Sequence, residues 1–328
     1  MRDSKQAETS SSPSPDLSRL ADTLRTAYRS WILHSPDDGP SSLLSLLVER
    51  LPHIPPDSWP ARLDFGGVYV NGHAALADRQ LPFPCKVEYY EPKFSIADAA
   101  QVFPPFDPGF ILHADGMIAV AYKPAGLSSM PAKEQRHFSL KAYLDRHFGT
   151  SVHMPSRLDV SAQGLVIVST NPRAHSALQQ AFESRLAHKT YFLATVAPMP
   201  WEQRSVSLPI GRDDRHPVLR TVHAAEGQSA LTHFRRSHSA DSAGQAVTVV
   251  RAEPVSGRTH QIRVHAASQG IPILGDNFYG GAVAGYLHLV SFSIAVPHPL
   301  TGQPLEIALP QSLRPDWLAD SLLSPQPR

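Results

Sequence analysis

A chain of 328 residues with 42% hydrophobic residues can bury a core of one large domain, or of a large and a small one. No apolar run approaches the roughly 18–20 residues of a membrane-spanning helix, and the single cysteine, Cys85, excludes an internal disulfide. The net charge of +1 conceals a gradient: residues 1–130 hold 11 basic against 15 acidic side chains, and residues 131–270 hold 17 against 10. A basic central block fits a polyanionic partner.

The opening "MRDSKQAETSSSPSPD" lacks the apolar stretch of a secretory signal. Residues 1–16 are expected to be a disordered leader on a cytoplasmic, monomeric protein without membrane attachment. Leu17, Leu20, Ala21, Leu24 and Tyr28 recur at spacings of three and four, which predicts an amphipathic helix opening a small unit over residues 17–92. Within it "SSLLSLLVERLP" predicts a helix, and "GGVYVNGHAAL" predicts a hairpin turning at Asn71-Gly72. "KVEYYEP" adds a strand. Residues 93–109, rich in proline and small side chains, are expected to link this unit to a larger one over residues 110–310, with 311–328 as a tail.

The larger unit begins with "FILHADGMIAVAYKPAG", two strands about an Asp115-Gly116 turn. "GLVIVST" predicts a buried strand. "NPRAHSALQQAFESRLAHK" predicts a helix capped by Asn171, with Ala174, Ala177, Leu178, Ala181 and Phe182 facing inward. "TYFLATV" and "AVTVVRAEP" predict further strands. "SGRTHQIRVHAASQG" predicts a helix capped by Thr259 and stopped by Gly270. Because strands and helices do not alternate one to one, an α+β fold is expected, with a mixed, largely antiparallel sheet flanked by helices.

Seventeen histidines raise the question of a metal. In "THQIRVH", His260 and His265 are five apart, so a regular helix points them about 140° apart. No cysteine or carboxylate accompanies them, and no metal is expected. A nucleophile elbow and a phosphate-binding glycine loop are both missing. What remains is Arg157, Asp159, Tyr191, Arg258 and Arg263, each at a strand edge or a helix start.

These residues fall in segments that together resemble the RluA-type RNA pseudouridine synthases. The family's H-R-L-D-x-x-T-S-G motif stands here as "SRLDVSAQG" (156–164), its K-P-x-G turn as "YKPAG" (122–126) and its K-x-Y strand as "HKTYFLATV" (188–196). "GRTHQIRVH" (257–265) is intact, and "GIPILGDNFYGG" (270–281) and "LHLVSFSIAVPHPLTGQPLEIALP" (287–310) match its closing segments. The chain departs from the pattern at Ser156, where the family has histidine, and at Ala162-Gln163, where it has Thr-Ser.

The resemblance implies that residues 110–310 form a pseudouridine synthase domain. Such a domain isomerises uridine in structured RNA, ribosomal or transfer, by base flipping and without a cofactor. It implies Asp159 as nucleophile, Arg263 as its counter-charge and Tyr191 as a catalytic residue that lies against the flipped base and is a candidate for the late proton transfer from C5. An aspartate suits the first role, since it is ionised near neutrality without a separate base. Arg157, in the stacking gap or on the flanking phosphates, Arg258 and Lys123 are the expected RNA contacts, with support of the Pro124 turn as the other reading of Lys123. An RNA-binding factor that kept the fold and lost catalysis is the alternative. Residues 41–92 resemble, less fully, the αL-type RNA-binding module, with "HIPPDSWPARLDF" standing where that module carries a basic helix.

Overall fold

The computed structural model describes residues 27–92, 95–214, 216–222 and 226–318. They fall into two compact units, one drawn from residues 27–109 and 126–152, the other from 110–125 and 153–318. Among the described residues, no helix is long and apolar enough to cross a membrane.

The first unit is a four-stranded antiparallel sheet in the order β1 (Ala27–Leu33), β4 (Cys85–Glu91), β2 (Val68–Val70) and β3 (His73–Ala74). The helix expected from Leu17 lies outside the described residues, except that Tyr28 belongs to β1 and is therefore extended. The predicted hairpin turns at Asn71 and Gly72, both at positive φ. That twist matches the strands it joins. Helix α1 (Leu43–Arg50) is only eight residues long, too short to persist alone. Leu43, Leu46 and Leu47 are fully buried, each contributing about 1.5–3 kcal/mol, and that burial holds it. A second helix, α2 (Trp59–Phe65), forms within "HIPPDSWPARLDF". Its charge pattern carries no helical signal; Pro60 in the first turn and buried Trp59, Leu63 and Phe65 do.

Helix α3 (Leu140–Phe148) is capped by the Ser139 hydroxyl and joins this unit too. The proline-rich stretch read as a linker lies against it. Phe106 packs at 5.4 Å from the Tyr143 ring, whose hydroxyl donates to the Pro104 carbonyl.

The second unit is built on a nine-stranded sheet. Its order is β5 (Ile111–Ala114), β6 (Ile118–Lys123), β7 (Gln163–Ser169), β14 (Leu289–Pro297), β8 (His188–Thr195), β13 (Gln245–Pro254), β12 (Leu231–Ser242) and β9 (Gln203–Ser207), with β15 (Pro304–Ala308) beside β14. Every pairing is antiparallel except β7 with β14, so the fold is the α+β class expected. β10 (Ile210–Asp213) and β11 (His216–Val222) form a separate ribbon.

Strand alternation divides the core into two layers. Phe192 and Ala194 of β8 enter one, with Ala174, Leu178 and Ala181 of helix α4 (Pro172–Glu183). Tyr191 and Leu193 enter the other, with Ile262 and Ala266 of helix α5 (Gln261–Ser268). The active-site candidates belong to this second layer. The Asn171 cap holds as predicted. The Thr259 cap does not: His260 occupies the cap position and makes no capping hydrogen bond.

Candidate active site

Asp159 sits in the loop that feeds β7, where its carbonyl accepts from the Ala162 N–H to close a turn. The loop is fixed at its far end by Gly164. There φ is +115°, and a Cβ would meet the Ser291 carbonyl oxygen at 2.2 Å on the parallel strand β14. Only glycine lets the loop enter the sheet at this point.

The Ala162-Gln163 departure from the family motif has local compensation. Gln163 accepts a hydrogen bond from the Tyr122 hydroxyl on β6. Ala162 is buried in the same apolar cluster as Tyr191 and Ile262, where a threonine hydroxyl would need a partner. Ser156 makes no hydrogen bond among the described residues.

Helix α5 presents the intact "THQIRVH" with a division of labour. Gln261 and His265, four apart, share a face. Gln261 donates to the Leu231 carbonyl and the Thr232 hydroxyl. His265 lies 2.9 Å from that same hydroxyl and 3.0 Å from the Leu208 carbonyl, and burial pushes its pKa down. It is a core histidine. These bonds lock the helix onto β12 and turn Arg263 the other way.

Arg263 is 4% exposed and lies between two carboxylates. Its Nε and Nη2 donate to Asp276 at 2.8 and 2.7 Å, a two-pronged fork. Its Nη1 donates to Asp159 Oδ2 at 3.1 Å. Phe278 and Tyr279 flank the guanidinium carbon at 4.7 and 5.2 Å. Burial disfavours the charge, but the two carboxylates outweigh it and hold the pKa above the usual arginine value. Asp276 orients the cation, and the remaining edge of the cation meets Asp159.

Asp276 was not singled out from the sequence. Its only signal is an acid within the glycine-rich, apolar "GIPILGDNFYGG". It is 1% exposed, and Gly281 packs so closely that a Cβ there would meet the Ile273 carbonyl at 2.0 Å.

Of the two readings of Lys123, its 0% exposure favours support of the turn over a phosphate contact. Its ammonium donates to the carbonyls of Pro124 and Val160, so it braces the turn behind the nucleophile candidate. Burial brings its pKa down to about 7, against the opposing pull of Asp159. Between pH 7 and an ordinary unfolded value near 10.4, the folded state holds fewer protons than the unfolded chain. Lys123 therefore adds stability as pH rises through that window, and below pH 7 the buried charge costs its full amount. The advantage of the wild type over Lys123→Met in urea midpoint is expected to be larger at pH 9 than at pH 6. An equal difference at both would contradict this titration.

The other predicted residues are arranged as follows. Tyr191 is 5% exposed, its ring centroid 6.0 Å from the Lys189 ammonium. Arg157 is exposed, as is Val160 in the same loop, at 52%. Arg258 is also exposed, and its Nε donates to the Ser229 carbonyl at 3.3 Å.

A nine-stranded mixed sheet with a carboxylate clamped by a buried arginine at its edge defines a class that comparison with known proteins makes specific. Residues 117–268 match the RNA pseudouridylate synthase family. The dual-specificity RNA pseudouridine synthase RluA of Vibrio parahaemolyticus is 32% identical over 222 residues, which cover 65% of this chain and 88% of that one. The uncharacterized RNA pseudouridine synthase YhcT of Bacillus subtilis is 31% identical over 214 residues, 63% of this chain and 70% of that one. In fold, the chain is similar to human RNA pseudouridylate synthase domain containing 1. That likeness has a TM-score of 0.52 at 23% identity and covers 61% of this chain and 82% of that one. The chain belongs to the RluA-type RNA pseudouridine synthases, and is an isomerase that acts on RNA.

Proposed function

We propose that this enzyme converts uridine to pseudouridine in structured ribosomal or transfer RNA, with Asp159 as the nucleophile and Arg263 as its counter-charge. The observation that carries this reading is the 3.1 Å contact between Asp159 Oδ2 and Arg263 Nη1, made by a cation that Asp276 already holds in place.

The target base must leave its stack, which costs a few kcal/mol. Tyr191 is assigned to the base, where aromatic contact contributes about 1–3 kcal/mol, enough to offset that cost. The exposed Arg157 and Arg258 meet the flanking phosphates. Asp159 attacks C1′ as the N1–C1′ bond breaks and N1 keeps the electron pair. The base turns, C5 bonds to C1′ as the Asp159–C1′ bond breaks, and the C5 proton leaves by way of Tyr191 while N1 takes up a proton. The chemistry needs no oxidant and no second substrate, only a carboxylate held in place while RNA covers it. Arg263 supplies that hold through its charge-assisted hydrogen bond to Asp159 Oδ2.

The dual specificity in the name of the Vibrio relative makes both RNA classes worth testing. Purified protein is incubated with unmodified ribosomal and transfer RNA transcripts, and pseudouridine is measured by nucleoside chromatography. At least one class is expected to gain pseudouridine at discrete positions. Folded protein that modifies neither would overturn the reading.

A further inference from the structure

The motif histidine that precedes helix α5 has no role in the account so far, yet its geometry is unusual. His260 adopts φ +58° and ψ +17°, the left-handed region that few residues other than glycine occupy. It caps nothing. Conformations of this kind persist only where surrounding structure imposes them, and they concentrate at functional sites. Here the imposition is visible. The ring is packed between Phe278 and Tyr279, with centroids at 5.8 and 5.7 Å.

Each ring nitrogen faces a particular atom. Nδ1 lies 2.7 Å from the Tyr279 hydroxyl, and that oxygen also accepts the Arg220 backbone N–H at 3.0 Å. Nε2 faces Asp159 Oδ2 at 3.9 Å, just beyond hydrogen-bond length. Burial, together with nearby Arg263 and Arg220, outweighs Asp159 and Asp276 and pushes the pKa down to about 4. The ring is neutral at pH 7 and has a single N–H to offer.

We propose that His260 is a positioning residue for the nucleophile: Tyr279 holds the ring proton on Nε2, and that N–H closes onto Asp159 Oδ2 when RNA fills the site. Oδ2 is then fixed between His260 and Arg263, and Oδ1 is the attacking atom. Oδ1 makes no hydrogen bond among the described residues, whereas Oδ2 already takes the bond from Arg263. A neutral donor suits this task. It restrains the carboxylate without adding a second full positive charge, which would stabilise the resting anion further and blunt its attack. The inference rests on the reading of Asp159 as nucleophile.

The test compares His260→Asn, His260→Gln and Asp159→Asn on a responsive RNA transcript. Asparagine tolerates the left-handed region and keeps a polar atom near Nδ1, but is too short to reach Asp159. Glutamine returns an N–H at about the distance of Nε2. His260→Asn is expected to lower kcat about 10- to 100-fold, the scale of a misplaced reacting group, with KM changed less than about threefold. His260→Gln is expected to recover most of that loss. If His260→Asn folds and keeps kcat within twofold, or if glutamine is no better than asparagine while both melt like wild type, the proposal is overturned. Should His260→Asn melt early, Tyr279→Phe carries the test instead. It keeps the ring and removes the orienting hydroxyl, and an unchanged kcat overturns the proposal. Asp159→Asn separates the two claims. If it retains wild-type turnover, the nucleophile reading falls and this inference with it. If it is inactive while the His260 variants are unimpaired, this inference alone falls.

Discussion

Replacing Arg263 with alanine is expected to lower turnover by two orders of magnitude or more, and to lower stability as well. The side chain is 4% exposed and bridges Asp276, with a fully buried carboxylate, to Asp159, with a side chain 25% exposed. Removing it strands the Asp276 charge in the core, a change that costs on the order of 3–5 kcal/mol when one member of a buried pair is deleted. The catalytic loss has a separate origin, because Asp159, the proposed nucleophile, loses the cation that holds its Oδ2 at 3.1 Å. Two further variants separate these effects. Arg263→Met combined with Asp276→Leu removes both buried charges, so stability should return toward wild type while activity stays lost. Arg263→Lys keeps the charge but cannot fork to two carboxylates, and should recover less than about a tenth of wild-type turnover. Chemical denaturation and pseudouridine formation are measured on each. A lysine variant that works within threefold of wild type would show that the two-pronged geometry is not needed.

The same residues show how far the sequence could be read. Asp159 and Arg263 stand in near-intact motifs, and the fold brings them together across 104 positions of chain. Asp276 escaped notice because its meaning is tertiary. A lone acid in a glycine-rich loop resembles a turn residue until the buried guanidinium appears beside it. Lys123 is open in the sequence between a phosphate contact and support of the Pro124 turn. Packing decides for the turn, where its ammonium donates to two loop carbonyls. The ribbon and the two outermost sheet strands between Gln203 and Ser242 also give no clear sequence signal. Polar residues such as those of "QRSVS" alternate there at an exposed sheet edge, so the apolar signal is diluted. Helix α2 hid behind its prolines. Its apolar contacts, rather than its propensity, make it helical. His260 was weighed only as a metal ligand, since no pattern of letters announces a left-handed backbone.

Asp159→Asn asks whether a carboxylate at this position is the group that attacks the RNA. Asparagine preserves size and keeps a carbonyl oxygen that can accept from Arg263 Nη1, so the site should stay assembled and RNA should bind within a few-fold of wild type. What it removes is the oxygen proposed to attack. Wild type and variant are incubated with the same responsive transcript, with RNA affinity measured in parallel and pseudouridine followed over many wild-type turnover times. The expected result is tight binding and no product. Turnover by the variant within tenfold of wild type would contradict the account, because a carboxylate at this position would then not be the group that attacks the RNA.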